Sequence, residues 1–163
     1  MKKLKLLLIV ILGVLVFTGC NSKKTSITGT DFSKQVGGIV SLNNYSSHYG
    51  LAKQAYQTDN TEYKVLFVEG NTISDIKGMY IDEVKNVYAK AGIVEETSQD
   101  EGTNAVDKKY TKRTVAGKNW SSIEITTDIS YYYLIYVDNT LLYLEGNIDK
   151  KDILVKVKDT INY

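Results

Sequence analysis

Tyr131-Tyr132-Tyr133-Leu134-Ile135-Tyr136-Val137-Asp138-Asn139-Thr140-Leu141-Leu142-Tyr143-Leu144-Glu145 decides the fold of this chain. Two runs rich in aromatic, aliphatic and β-branched residues flank Asp138-Asn139, residue types that tolerate the positive φ of a tight turn. The stretch predicts a β-hairpin. Side chains alternate along a strand, so Tyr131, Tyr133, Ile135 and Val137 share one face while Tyr132, Leu134 and Tyr136 share the other.

Working upstream, residues 110–115, a turn at Ala116-Gly117-Lys118-Asn119 and residues 120–126 predict a second hairpin. Before it, residues 95–107 are polar, acidic and aperiodic, and predict a loop. Ile73, Ile76, Tyr80, Val84, Val87 and Ala91 recur at steps of three and four, which puts them on one stripe of a long helix. Thr72 with Asp75 three residues later is its start signal, and Gly92 followed by Ile93 its left-handed stop. Residues 63–68, Tyr-Lys-Val-Leu-Phe-Val, predict a strand. Further upstream, the apolar run at residues 39–42 suggests a first strand and residues 50–56 a short helix. Downstream, Asp149 and Asp152 open a last helix with Ile153, Leu154, Val157 and Ile161 on one face. The resulting order is an α+β domain, an antiparallel sheet covered by the long central helix and the C-terminal helix.

The Ala-Gly-Lys-Asn-Trp turn and strand, the tyrosine-rich hairpin ending in Glu145-Gly146 and the final helix resemble the PsbP-like sandwich of photosystem extrinsic subunits and many bacterial lipoproteins. The likeness covers most of residues 60–163. It concerns the fold and implies no activity.

The amino end has a different character. Lys2, Lys3 and Lys5 make a positive n-region, and residues 6–17 are apolar apart from Gly13. A spanning helix needs about 20 apolar residues, so this run has the length of a signal-peptide core. Thr18-Gly19-Cys20 follows and resembles the lipobox of bacterial lipoproteins, with Phe17 where that family usually has Leu. The resemblance implies cleavage after Gly19 and diacylglycerol on Cys20. More than one acyl chain, at about 0.8 kcal/mol per buried CH₂, gives a stable anchor where a single chain is marginal. Residues 1–19 are therefore read as a signal peptide and 20–30 as a flexible tether reaching roughly 15–20 Å on random-coil scaling. Residues 31–163 are read as one globular domain. The expected location is the extracytoplasmic face of a cell membrane.

Composition narrows the function. Cys20 is the sole cysteine and His48 the sole histidine, which excludes an internal disulfide and a thiolate metal site. Without its leader the chain has 17 Lys+Arg against 19 Asp+Glu, a net charge of −2, and lacks the basic stripe that nucleic-acid binding requires. Lys108, Lys109, Lys112 and Arg113 form one small basic cluster, read as a solvated loop or strand edge. No nucleophile, phosphate loop or metal-ligand spacing stands near His48, so neither an enzyme nor a cofactor is expected. Trp120, Tyr132 and Tyr136 are the candidate binding residues, provided that their strands present them on one face, because aromatics near solvent anchor many interfaces. Two function classes follow. One is a tethered module that binds an envelope protein or peptide. The other is a protective lipoprotein of the bacteriocin-immunity or phage-exclusion type. An envelope hydrolase ranks third.

Overall fold

The tyrosine-rich hairpin forms the middle of a single antiparallel sheet. The computed structural model describes residues 22–93, 101–103 and 109–163. Among them, eight strands run β1 Asn43–Asn44, β2 Ala52–Gln57, β3 Tyr63–Gly70, β4 Glu101–Thr103, β5 Lys109–Ala116, β6 Trp120–Thr127, β7 Ser130–Val137 and β8 Thr140–Asn147. Their order across the sheet is β1-β2-β3-β8-β7-β6-β5-β4. The described α-helices are α1 Gly29–Val36, α2 Ile73–Ala91 and α3 Lys151–Thr160. The chain is thus an α+β protein with helices on both faces of an antiparallel sheet.

The hairpin has the expected turn. Asp138 takes φ 50°, and Thr140 Oγ1 donates to the Val137 carbonyl at 2.7 Å. Asn139 fastens the turn to the end of β3, its side-chain amide donating to the Gly70 carbonyl at 3.0 Å while its own carbonyl accepts from Gly70 N at 2.8 Å. Along β7 and β8 most residues are buried, on either side of the pleat. Each face therefore needs a cover.

On one face α2 packs across β3, β8, β7 and β6. Its cap follows the sequence signal: Asp75 N donates to Thr72 Oγ1 at 3.1 Å, and Gly92 closes the helix at φ 68°. Ile76, Val87 and Ala91 are buried, Tyr80 and Val84 half-buried, and Ile73 is exposed at 48% because it precedes the part of the helix that meets the sheet. On the opposite face α1 lies over β2 and β3 and α3 over β8, the two helices touching each other. Phe32 of α1 stacks on Phe67 with centroids 4.3 Å apart, and each such fully buried ring contributes on the order of 2 kcal/mol. Leu154 and Val157 are the buried stripe of α3, Ile161 is buried just past its end, and Ile153 packs at its margin.

Four expectations need correction. Residues 39–42 form no strand: the chain turns at the end of α1, the amides of Ile39 and Val40 both bonding back to the Val36 carbonyl at 2.8 and 3.1 Å, and Ile39, Val40 and Leu42 pack against the core instead of pairing in a sheet. Residues 50–56 supply strand β2, whose pairing with β3 overrides any local helical preference. The loop expected at residues 95–107 lies mostly outside the described residues, but Glu101–Thr103 within it pairs with β5 as an edge strand.

The expected tether is likewise not free. From Ser22 onward the segment is held to the domain. The Lys118 amide donates to the Ser22 carbonyl at 3.0 Å. Asn119 clamps the Lys24 backbone, accepting from its N–H at 3.1 Å and donating to its carbonyl at 2.8 Å. Ile27 N donates to Tyr163 OH at 3.1 Å, and Gly29 N donates to Glu69 Oε2 at 2.8 Å. Helix α1 then begins inside the expected tether, with Thr28 Oγ1 accepting from Asp31 N at 3.1 Å. Apart from Ile27, which packs against the core, this polar segment is bound by hydrogen bonds, which is why hydropathy missed it.

Val87 is wholly buried whereas Val84 is not, so Val87→Asp places an unpaired carboxylate in the core. The expected loss is about 3 kcal/mol or more in a denaturant titration. Glu69 generates a pH prediction. Burial alone would raise its carboxyl, but hydrogen bonds from Lys53 and the Gly29 amide, with the Lys53 charge, outweigh burial and lower it. A depressed acid contributes stability above its unfolded-state range, lost as pH falls through the folded value. The stability gap between the wild type and Glu69→Gln should therefore narrow as urea midpoints are followed from neutral into acid pH.

Candidate functional site

The structure separates the three aromatic residues singled out in the sequence. The β6–β7 connection pairs even-numbered residues of β6 with odd-numbered ones of β7: Trp120 with Val137, Ser122 with Ile135, Glu124 with Tyr133. Trp120 therefore shares the α1 and α3 face, while Tyr132 and Tyr136 lie on the α2 face. Trp120 and Tyr132 are also buried, at 7% and 6% exposure, and Tyr136 meets Tyr80 of α2 edge-on at 5.1 Å. Tyr132 and Tyr136 are brought together under α2 as packing; Trp120 is not part of their cluster.

Trp120 belongs instead to a recess of about 180 Å³ on the other face, where helices α1 and α3 leave β5 and β6 uncovered. Cross-strand register sets its wall: Arg113 of β5 opposes Glu124 of β6, which opposes Tyr133 of β7. Lys158 reaches in from α3, its ammonium 4.7 Å from the Tyr133 ring centre and 3.7 Å from Glu124 Oε1. The same carboxylate oxygen accepts from Tyr131 OH at 2.9 Å. Lys24 arrives from the docked N-terminal segment, 5.3 Å from the Trp120 ring centre, and donates to the Asn162 carbonyl at 2.9 Å. Partial burial, followed by repulsion from Lys158, lowers the Lys24 ammonium from its usual range. Burial raises the Tyr133 phenol, which stays protonated through neutral pH.

Gly117 is required beside this recess. A Cβ there would stand 2.1 Å from Trp120 Nε1 and 2.5 Å from the Ser22 carbonyl, so only glycine lets the indole and the incoming segment both pack against the turn. The indole N–H is buried and has no acceptor among the described residues.

A second recess, of about 290 Å³, opens at the end of the sheet between Asn60, Glu62, Lys64, Ser130, Tyr132 and Glu145. Its acids are already answered. Glu145 accepts from Lys90 at 2.7 Å and from Tyr143 OH at 2.6 Å, and Glu62 pairs with Lys150 at 2.9 Å. The first recess differs in holding three cationic side chains against one carboxylate, and that imbalance makes it the candidate site. His48 lies in a short 3₁₀ turn, exposed, with Ser47 Oγ 3.4 Å from its Nδ1, and lines neither recess.

Sequence reasoning found Trp120 and missed Lys24, Arg113, Glu124, Tyr133 and Lys158. Arg113 fell within the basic cluster read as a solvated edge, yet strand alternation sends Lys112 to the α2 face and Arg113 toward the recess. Lys24 lay in the expected tether. Comparison of the chain with models of protein families, with curated proteins and with solved structures returned no match.

Gly117→Ala should push the indole off the turn. Because the chain has a single tryptophan, the expected outcome is a red-shifted, more quenchable emission with a lowered melting temperature, read by fluorescence and thermal denaturation of the same sample.

Proposed function

We propose that this chain is a lipoprotein of the extracytoplasmic face of a bacterial membrane, anchored through diacylglycerol on Cys20. On this reading its domain, a sandwich of PsbP-like type, is a non-enzymatic module that binds an envelope protein or peptide.

The observation that carries the reading is the way the chain after the cysteine is held. Only Asn21 stands between Cys20 and Ser22, whose carbonyl is bonded to the turn between β5 and β6. Two residues span about 7 Å at full extension, far less than a free tether of ten. A lipid on Cys20 thus holds the β5–β6 turn against the headgroups, with the recess formed by Trp120 and Lys24 close behind it. Rigid, close attachment suits a module that acts on something at the membrane surface. It offers no advantage to a domain that must roam. The uncompensated cations and aromatic floor of the recess supply a surface for recognition, while no nucleophile and base are paired in it.

Anchoring is tested with Cys20→Ala in cells fed labelled fatty acid. The wild type should incorporate label and lose its leader, and the variant should do neither. Normal processing and membrane retention of Cys20→Ala would refute the assignment.

A further inference from the structure

The recess gathers like charges that folding alone does not explain. Lys24, Arg113 and Lys158 come from three separate elements, and a single carboxylate, Glu124, faces them at 3.7 Å from Lys158. That carboxylate is shared with Tyr131 OH. Among the described residues Lys24 meets no acid, only the neutral Asn162 carbonyl at 2.9 Å and the Trp120 ring at 5.3 Å, and Arg113 has no acid partner other than Glu124 across the strand pair. Lys24 and Lys158 repel each other. Among the side chains lining the recess the cations outnumber the acids by two, over a floor of Trp120 and Tyr133, and the nearby Asp159 carboxylate, felt by Tyr131 and Tyr133, offsets part of that excess.

The geometry points to a binding site for a phosphate group in this recess, with Lys24, Arg113 and Lys158 as its ligands. A monocarboxylate would leave surplus charge, whereas a phosphate has the charge and enough oxygens to accept from all three side chains, the guanidinium offering a fork that matches two of them. The recess, about 180 Å³ and open to solvent on one side, has room for a phosphate. The floor adds an apolar surface for whatever small group bears the phosphate. The phosphate comes either from a lipid headgroup, reached because the N-terminal segment runs past the recess, or from a soluble phosphorylated compound.

This inference deepens the binding-module reading and rests on it. The titration is carried out in neutral detergent, where anchoring plays no part, so either idea can fail without the other. The purified full chain is titrated with inorganic phosphate and with glycerol phosphate at constant ionic strength, and Trp120 emission is followed. A saturable change is expected, weakened roughly ten-fold or more in Arg113→Gln and in Lys158→Gln, with circular dichroism confirming that both variants fold. No saturable change, an equal response to acetate, or unaltered midpoints in both folded variants would overturn the proposal. The source is then read in nanodiscs of phosphatidylcholine with and without phosphatidic acid. Loss of the soluble-phosphate response when phosphatidic acid is present assigns the site to a headgroup, and an unchanged response assigns it to a soluble phosphorylated compound.

Discussion

A strand buried on both faces can keep its backbone out of water only if both of its edges are paired, and β8 meets that condition from Thr140 to Gly146, against β3 on one side and β7 on the other. The rest of the molecule follows from this pairing. With Leu141 and Tyr143 facing α2 and Leu142 and Leu144 facing the other helices, each face of the sheet needs a cover of its own. The long α2 lies across four strands, while the shorter α1 and α3 divide the opposite face between them. Helices of eight and ten residues do not extend over β5 and β6. The open recess is the remainder of that coverage, and the N-terminal segment passes along its border.

Much of the fold was legible because its strongest signals are local. A tight turn between two apolar runs, a capped helix with a regular stripe, and a glycine stop each depend on neighbours in sequence. Strand β2 was not legible in that way. Ala52-Lys53-Gln54-Ala55-Tyr56-Gln57 has little β character, and its conformation is imposed by pairing with β3. Helix α1 had a readable start, Thr28 followed by Asp31, of the same form as Thr72 and Asp75. Its polar approach disguised it.

The site was legible only in part, and the reason is parity. Alternation within one strand can be read from sequence, but whether Trp120 shares a face with Tyr132 or with Tyr133 depends on the register across the β6–β7 turn. A shift of one residue would exchange the two faces. The cations were harder still, since Lys24, Arg113 and Lys158 lie on elements remote in sequence and meet only when the segment before α1, the outer strands and α3 are all in place.

The bond from Ile27 to the Tyr163 hydroxyl, which also lies 2.6 Å from Thr140 Oγ1, joins positions 136 residues apart in sequence. A chain released amino end first, from a ribosome or through a translocation pore, must keep its opening segment waiting until α3 has emerged and docked. The central hairpin and α2 can form early from local contacts, whereas closing so long a loop is slow. During that interval the face later covered by α1 and α3, with Phe67, Leu142 and Leu144 on it, stands open. The last stage of synthesis is therefore when this domain is most exposed to proteases and to its own neighbours.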